Sequence, residues 1–279
     1  MRAAWAAAIA VVAVLALGFL ALRDSACEEL VIYADIAFRP VLEFAMENGS
    51  GGCVNPVINS GPTGAVLSSI RLQKKGDIYA SVSAFSMRQA IAEGHVRGED
   101  VRVIAYLKLA IFVQRGNPLG IDGLGDLVKR KGLRLAMAEP ESVAAGQLAR
   151  ELLSSLRHGN RTYWELMLEN HEVVFKRSAP DVFNSVKLGV VDVGLTYEIY
   201  HRLEPRGADM VKIEDRLNVR VNPVTVAVLK YSKNREKAEA FLSLFDSPNV
   251  RSKLRQLGYI LPEELSSEAP FASSISYKP

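Results

Sequence analysis

From Leu30 onward the chain alternates two patterns. Short apolar runs, LVIYA (30–34), DIYASV (77–82), LRLAMA (133–138), EVVFKR (172–177) and PVTVAVLKY (223–231), read as strands. Between them lie segments whose apolar residues recur every three or four positions. PVLEFAMEN (40–48), AVLSSIRLQ (65–73), AFSMRQAIAEG (84–94), QLARELLSSLR (147–157) and APDVFNSVKLG (179–189) are of this kind and read as helices. Pro40 stands in the first turn of one of them and Gly189 stops another, as helix ends favour. Leu148, Leu152 and Leu156 share one helix face. VNPVIN (54–59) reads as a strand and VDVGLTYEIY (191–200) as a strand running into a helix. REKAEAFLSLFDS (235–247) and SPNVRSKLRQLG (247–258) close the pattern as two helices.

Strand alternating with helix predicts parallel sheets covered on both faces. The fold class expected is α/β, two lobes, each a mostly parallel sheet flanked by helices, with a cleft between them. VRVIAYLKLAIFVQ (101–114) and VNPVTVAVL (221–229) are long extended stretches that pair as two crossings between lobes. The expected division is residues 27–107 with 230–279 in lobe 1 and 108–229 in lobe 2. Such a clamp closes by hinge motion.

Residues 1–26 follow another pattern. Arg2 precedes an uncharged apolar run from Ala3 to Leu22, long enough to span a bilayer as a helix. The segment is expected to be an N-terminal membrane anchor, with a cleaved signal peptide as the alternative. Either places the rest of the chain outside the cytoplasmic membrane, in the periplasm.

Composition and charge narrow the function. At 279 residues, 49% hydrophobic and 23% charged, the chain is an ordinary globular protein, and a net charge of +3 with no basic stretch interleaved with aromatics argues against nucleic acid. Cys27 and Cys53 stand just ahead of two strand runs, each the same distance before a loop residue, Ala37 and Thr63. If those strands are parallel neighbours the cysteines are level, and a disulfide is expected in an oxidising compartment, the alternative being two buried thiols. His95, His158, His171 and His201 all fall outside the loops that follow the strands, and no phosphate-loop or H-E-x-x-H spacing occurs. The protein is therefore expected not to be an enzyme, and to need no cofactor.

Four loops stand at strand ends just before helices: Ala34 to Pro40, Asn59 to Gly64, Glu139 to Gly146 and Ser178 to Val182. Ligands of open α/β sheets bind beyond the carboxyl ends of the strands, where helix N-termini offer unpaired N–H groups and a positive dipole end to anions. Thr63 and Tyr197 add hydroxyl donors there. Asp35, Glu139, Glu141 and Glu198 are the competing signal. Turned inward they would make a hard-cation site; the expectation is that Asp35 and Glu198 point away from the cleft and that Arg39 is free to enter it.

The ordered set YADIAFRPVLE, SGPTGAVLSSI, GDIYASVSAFSM, VQRGNPLGI, AEPESVAAGQLARELL, APDVFNSVKLGVVDVGLTY and NPVTVAVL resembles the molybdate-binding periplasmic proteins of ABC importers, type II solute-binding proteins, from about Leu30 to Tyr259. The resemblance implies capture of molybdate or tungstate between the lobes, by hydroxyls and backbone N–H groups without cationic side chains. It implies an ABC permease as partner and a monomer. Its binding positions fall on Ala37, Thr63, Ala145, Val182 and Tyr197. Ala37 departs from the pattern, since it lacks the family's hydroxyl; one hydrogen bond to a charged ligand is worth about 1.5–3 kcal/mol. Pro62 also removes one N–H donor from its loop. These departures leave open the same fold with another ligand (another oxyanion, a metal cation or a small organic anion) and a ligand-free membrane-anchored sensor.

Overall fold

The computed structural model describes residues 28–49, 54–214, 217 and 220–265. The expected anchor over 1–26 and the expected Cys27–Cys53 disulfide lie outside the described residues.

The first lobe is built on a five-stranded sheet. In chain order its strands are β1 (Glu28–Asp35), β2 (Val54–Gly61), β3 (Ile78–Ser81) and β4 (Arg102–Leu107). Helices α1 (Arg39–Asn48), α2 (Thr63–Gln73) and α3 (Ala84–Ala92) connect the first three strands and lead on toward the fourth. β1 runs parallel to both β2 and β3, with Glu28 opposite Val54 and Asp35 opposite Gly61. Pro56, which has no N–H to give a ladder, sits in β2 at the sheet edge. Both faces of β1 are covered. Leu30, Ile32 and Ala34 enter the main core, and Tyr33 packs on the other face with Val66, Leu67 and Ile70 of α2. Asp35 follows Tyr33 by two and therefore shares the α2 side.

The chain crosses to the second lobe at Lys108. There β5 (Leu109–Val113), α4 (Leu124–Lys129), β6 (Arg134–Ala138), α5 (Ala144–Ser155), the small β7 (Arg157–His158) and β8 (Arg161–Thr162) hairpin and α6 (Tyr163–Asn170) follow. The lobe continues through β9 (Glu172–Lys176), α7 (Ala179–Lys187), β10 (Val193–Tyr197), the short α8 (Ile199–Leu203) and β11 (Asp209–Val211). The sheet order is β11-β5-β10-β6-β9, with β10, β6 and β9 parallel and β5 antiparallel to its neighbours. The capping box of α6, in which Thr162 and Glu165 satisfy each other's backbone N–H, carries a helix that the apolar pattern alone does not single out.

β12 (Asn222–Val228) corrects the expected return at 230. It pairs with β3 and β4, giving the order β2-β1-β3-β12-β4, so the chain is back in lobe 1 by Asn222. The run is a lobe 1 strand over its whole length because Val224, Val226 and Val228 fill that lobe's core. The helices α9 (Arg235–Ser243) and α10 (Pro248–Gln256) then pack on lobe 1, where Phe245 meets Phe241 edge-on and Phe38 at a tilt.

Candidate functional site

The strand ends of the two lobes face each other, and a small cavity lies where they meet. Lobe 1 contributes Asp35, Ile36 and Ala37 after β1, Gly61, Pro62 and Thr63 between β2 and α2, and Val82 after β3. Lobe 2 contributes Val143, Ala144 and Ala145 at the start of α5, Ala179 at the start of α7, and Tyr197 at the end of β10. The walls leave about 10 Å³ between them, room for about one water. The lobes touch directly. Gly64 N–H donates to Ser142 O at 3.0 Å, and Ala144 N–H donates to Thr63 Oγ1 at 3.4 Å. A methyl on Gly64 would stand 3.1 Å from Ser142 O, so the close approach depends on glycine.

Four of the five expected binding positions, Ala37, Thr63, Ala145 and Tyr197, line this cavity. Val182 does not. It lies on the buried face of α7, where a Cβ on Gly194 would meet its side chain at 3.0 Å, and Ala179, one helical turn earlier, lines the cavity in its place. Residues in the first turn of a helix have N–H groups that the helix itself cannot satisfy. Thr63, Ala145 and Ala179 all stand in such turns. α5 comes close to β6 through Gly146, where a Cβ would meet Ala138 O at 2.2 Å.

The two hydroxyls are oriented by what they accept. Tyr197 Oη accepts from Asn222 Nδ2 at 2.7 Å, which leaves its own hydrogen to the cavity. Burial pushes its pKa well above the usual phenol value, so it stays a donor at neutral pH. Thr63 Oγ1 accepts from Ala144 across the cleft, which turns its hydrogen toward the side where Asp35 stands. Asn222 also donates to Ala144 O at 3.0 Å and so ties the start of β12 to both α5 and Tyr197. No residue pattern in the binding loops marks Asn222; its only sequence signal is a polar residue just ahead of a buried strand.

The carboxylates divide. Glu198 is buried but turned away, held by Lys108 Nζ at 3.6 Å and Arg202 Nη2 at 3.3 Å. Glu141 pairs with Arg150, and neither it nor Glu139 lines the cavity. Asp35 does not point away as expected: it lines the cavity. Its Oδ2 accepts from Val82 N at 2.6 Å and from Ser81 Oγ at 3.1 Å. Its Oδ1 is buried and has no hydrogen-bond partner among the described residues. Burial pushes this carboxyl up to about 6, against the bonds from Val82, Ser81 and Thr63. Arg39 does not enter the cleft; it bonds Glu43 at 2.6 Å and lines an open groove of about 400 Å³ on the outer side of lobe 1. No cationic side chain lines the cavity among the described residues.

The histidines lie elsewhere. His95 bonds Tyr231, and His171 is buried and bonds Leu127 O and Leu133 N–H. Among the described residues no group of acidic, histidine or cysteine side chains is placed to hold a metal ion.

With two lobes joined by two crossings and a small cavity between facing helix starts, the architecture is that of a type II periplasmic binding protein. Residues 30–260 match the model of the bacterial extracellular solute-binding proteins, and the chain belongs to that family. No curated protein sequence matches it. The periplasmic molybdate-binding protein of Azotobacter vinelandii is 19% identical over 84% of this chain and 99% of its own, with a TM-score of 0.69. A substrate-binding domain assigned to a molybdenum ABC transporter of Clostridium difficile is 22% identical over 84% and 98%, with a TM-score of 0.61. The sulfate-binding protein SubI of Mycobacterium tuberculosis is 16% identical over 85% and 89%, with a TM-score of 0.72. Likeness at these identities shows the fold.

Proposed function

We propose that this protein is the substrate-binding component of an ABC importer and captures one small tetrahedral oxyanion, molybdate or tungstate, between its lobes. Ala37, Thr63, Ala145 and Tyr197 bind it, with Ala179 in the place expected for Val182. One observation carries the reading: first-turn residues of three helices and the hydroxyls of Thr63 and Tyr197 converge on a small cavity that no cation lines among the described residues. Fixed donors of this kind suit a compact anion. The closed cleft has room for about one water, so any anion enters only as the lobes part, and a compact ion needs the least parting. Ligand contacts from both lobes exist together only in the closed clamp, so binding favours closure, and a membrane permease then receives the loaded form.

Calorimetric titration of the full chain with molybdate, tungstate, sulfate and phosphate tests this. Saturable 1:1 binding of an oxyanion, weakened at least tenfold by Thr63→Ala or Tyr197→Phe, is the expected result. Absence of binding by all four anions sinks it.

A further inference from the structure

The proposed oxyanion site contains one group that does not suit a bare anion. Asp35 is a buried carboxylate at the end of β1; among the described residues its Oδ1 has no donor within hydrogen-bond distance, although Oδ2 has two and the Thr63 hydroxyl stands nearby. Buried acceptors are expected to be hydrogen-bonded, and a buried charged oxygen left unmade is costly. The elements packed around it offer no cation. From β3 and its following loop come Tyr79, Ser81 and Val82; from α2, Thr63; from β10 and α8, Tyr197 and Tyr200, whose phenols are held protonated by burial. The nearby cluster of three charges, Glu198 with Lys108 and Arg202, is closed on itself. An oxyanion entering this cavity therefore brings a negative oxygen toward a carboxylate, unless a proton lies between them.

We propose that the loaded site holds one proton between Asp35 Oδ1 and an oxygen of the anion. This deepens the oxyanion reading above and rests on it. The proton has two sources. A hydrogen oxyanion such as hydrogen phosphate carries it in and donates it to Oδ1. A fully deprotonated anion such as molybdate binds only to the form in which Asp35 itself is protonated, so that its O–H donates to the anion. The proton is then taken from solvent, one for each anion bound. The elevated pKa of this carboxyl, about 6, makes that uptake accessible near neutral pH.

Asp35→Asn reverses the preference, for a geometric reason. Val82 N–H and Ser81 O–H require an acceptor where Oδ2 stands, so the amide oxygen takes that place and the NH₂ occupies the position of Oδ1. The cavity then gains a permanent donor and loses its acceptor.

The test is calorimetry on the full chain with phosphate and with molybdate at pH 5.5, 7.0 and 8.5, repeated in buffers of different ionisation enthalpy to count protons. In the wild type, molybdate affinity is expected to fall about tenfold per pH unit above 6 with one proton taken up. Phosphate affinity is expected to hold within about threefold from pH 7.0 to 8.5, following the ligand's own proton. Asp35→Asn is expected to bind molybdate independently of pH and at least tenfold tighter at pH 8.5, and phosphate at least tenfold more weakly. Molybdate binding with no proton uptake and no pH dependence in the wild type overturns the inference and leaves the oxyanion reading intact. Failure of every anion at every pH overturns both. The wild-type series decides the matter alone if the variant does not fold.

Discussion

Two buried carboxylates stand at matching places in the two lobes, each beside a residue that lines the cleft. Glu198 follows Tyr197 at the end of β10, and Asp35 ends β1 ahead of Ala37. Glu198 meets Lys108 and Arg202, while Asp35 meets one N–H and one hydroxyl on a single oxygen. A buried charge compensated by cations is structural; its field is closed off from the cleft. A buried charge half compensated at a cavity wall is a demand made on whatever enters. Lobe 2 thus presents donors alone, and lobe 1 presents donors with one acceptor.

Four variants test how far that difference goes. The largest effect is expected from Gly146→Ala in lobe 2. Its Cβ would press on the Ala138 carbonyl, backbone that cannot swing aside, so α5 must move off β6. A loss of about 3 kcal/mol is expected in denaturant unfolding, together with loss of oxyanion binding. The next lies at the far end of lobe 1. The described register puts Glu28 opposite Val54, the residues that follow Cys27 and Cys53. We propose that these cysteines are joined, and Cys27→Ser is expected to lower stability by about 2–3 kcal/mol with affinity unchanged. Free thiols in the exported protein under non-reducing conditions would refute the pairing.

Tyr197→Phe comes third. It removes one donor from the cavity and one partner from Asn222, and a ten- to hundredfold loss of affinity, about 1.5–3 kcal/mol, is expected by titration. The smallest effect is expected from Glu198→Gln. Lys108 and Arg202 are partly exposed, so solvent screens them, and about 1 kcal/mol of stability is expected to be lost with affinity changed less than threefold. An equal change in affinity from Glu198→Gln and Asp35→Asn breaks the comparison.

Stability against pH reports on Asp35 as well. Because the folded-state pKa of Asp35 is raised, the native protein binds more protons than the unfolded chain between about 4 and 6. Asp35 therefore lowers stability progressively as pH rises through that window, and the loss is complete above it. Asp35→Asn is expected to melt higher than the wild type at pH 8 and to lose that advantage toward pH 4.

The sequence pattern carries the architecture because both sheets are covered on two faces, which makes most strands near-continuous apolar runs. LRLAMA and DIYASV are legible for that reason, and the loops after them follow. The same coverage hides side-chain direction. Asp35 ends a strand whose two faces are both buried, so alternation alone does not say which way its carboxylate turns; that depends on α2 lying over Tyr33. The placing of Val182 rested on resemblance, and the structure instead brings Ala179, at the very start of α7, to the cavity. Asn222 escaped because its role arises from a crossing strand meeting α5 and Tyr197, residues far away in the chain.

The bond from Gly64 to Ser142 has a kinetic meaning. It joins the lobes without any third party, as a latch does, and so biases the resting clamp toward the shut position. A shut clamp that asks less of its cargo binds it more tightly, because less of the available interaction is spent on moving the lobes. The same bias blurs the signal that an empty molecule sends. A transporter that reads only the outward shape of the shut clamp would meet idle copies alongside full ones, and productive delivery then depends on how long the cargo dwells inside.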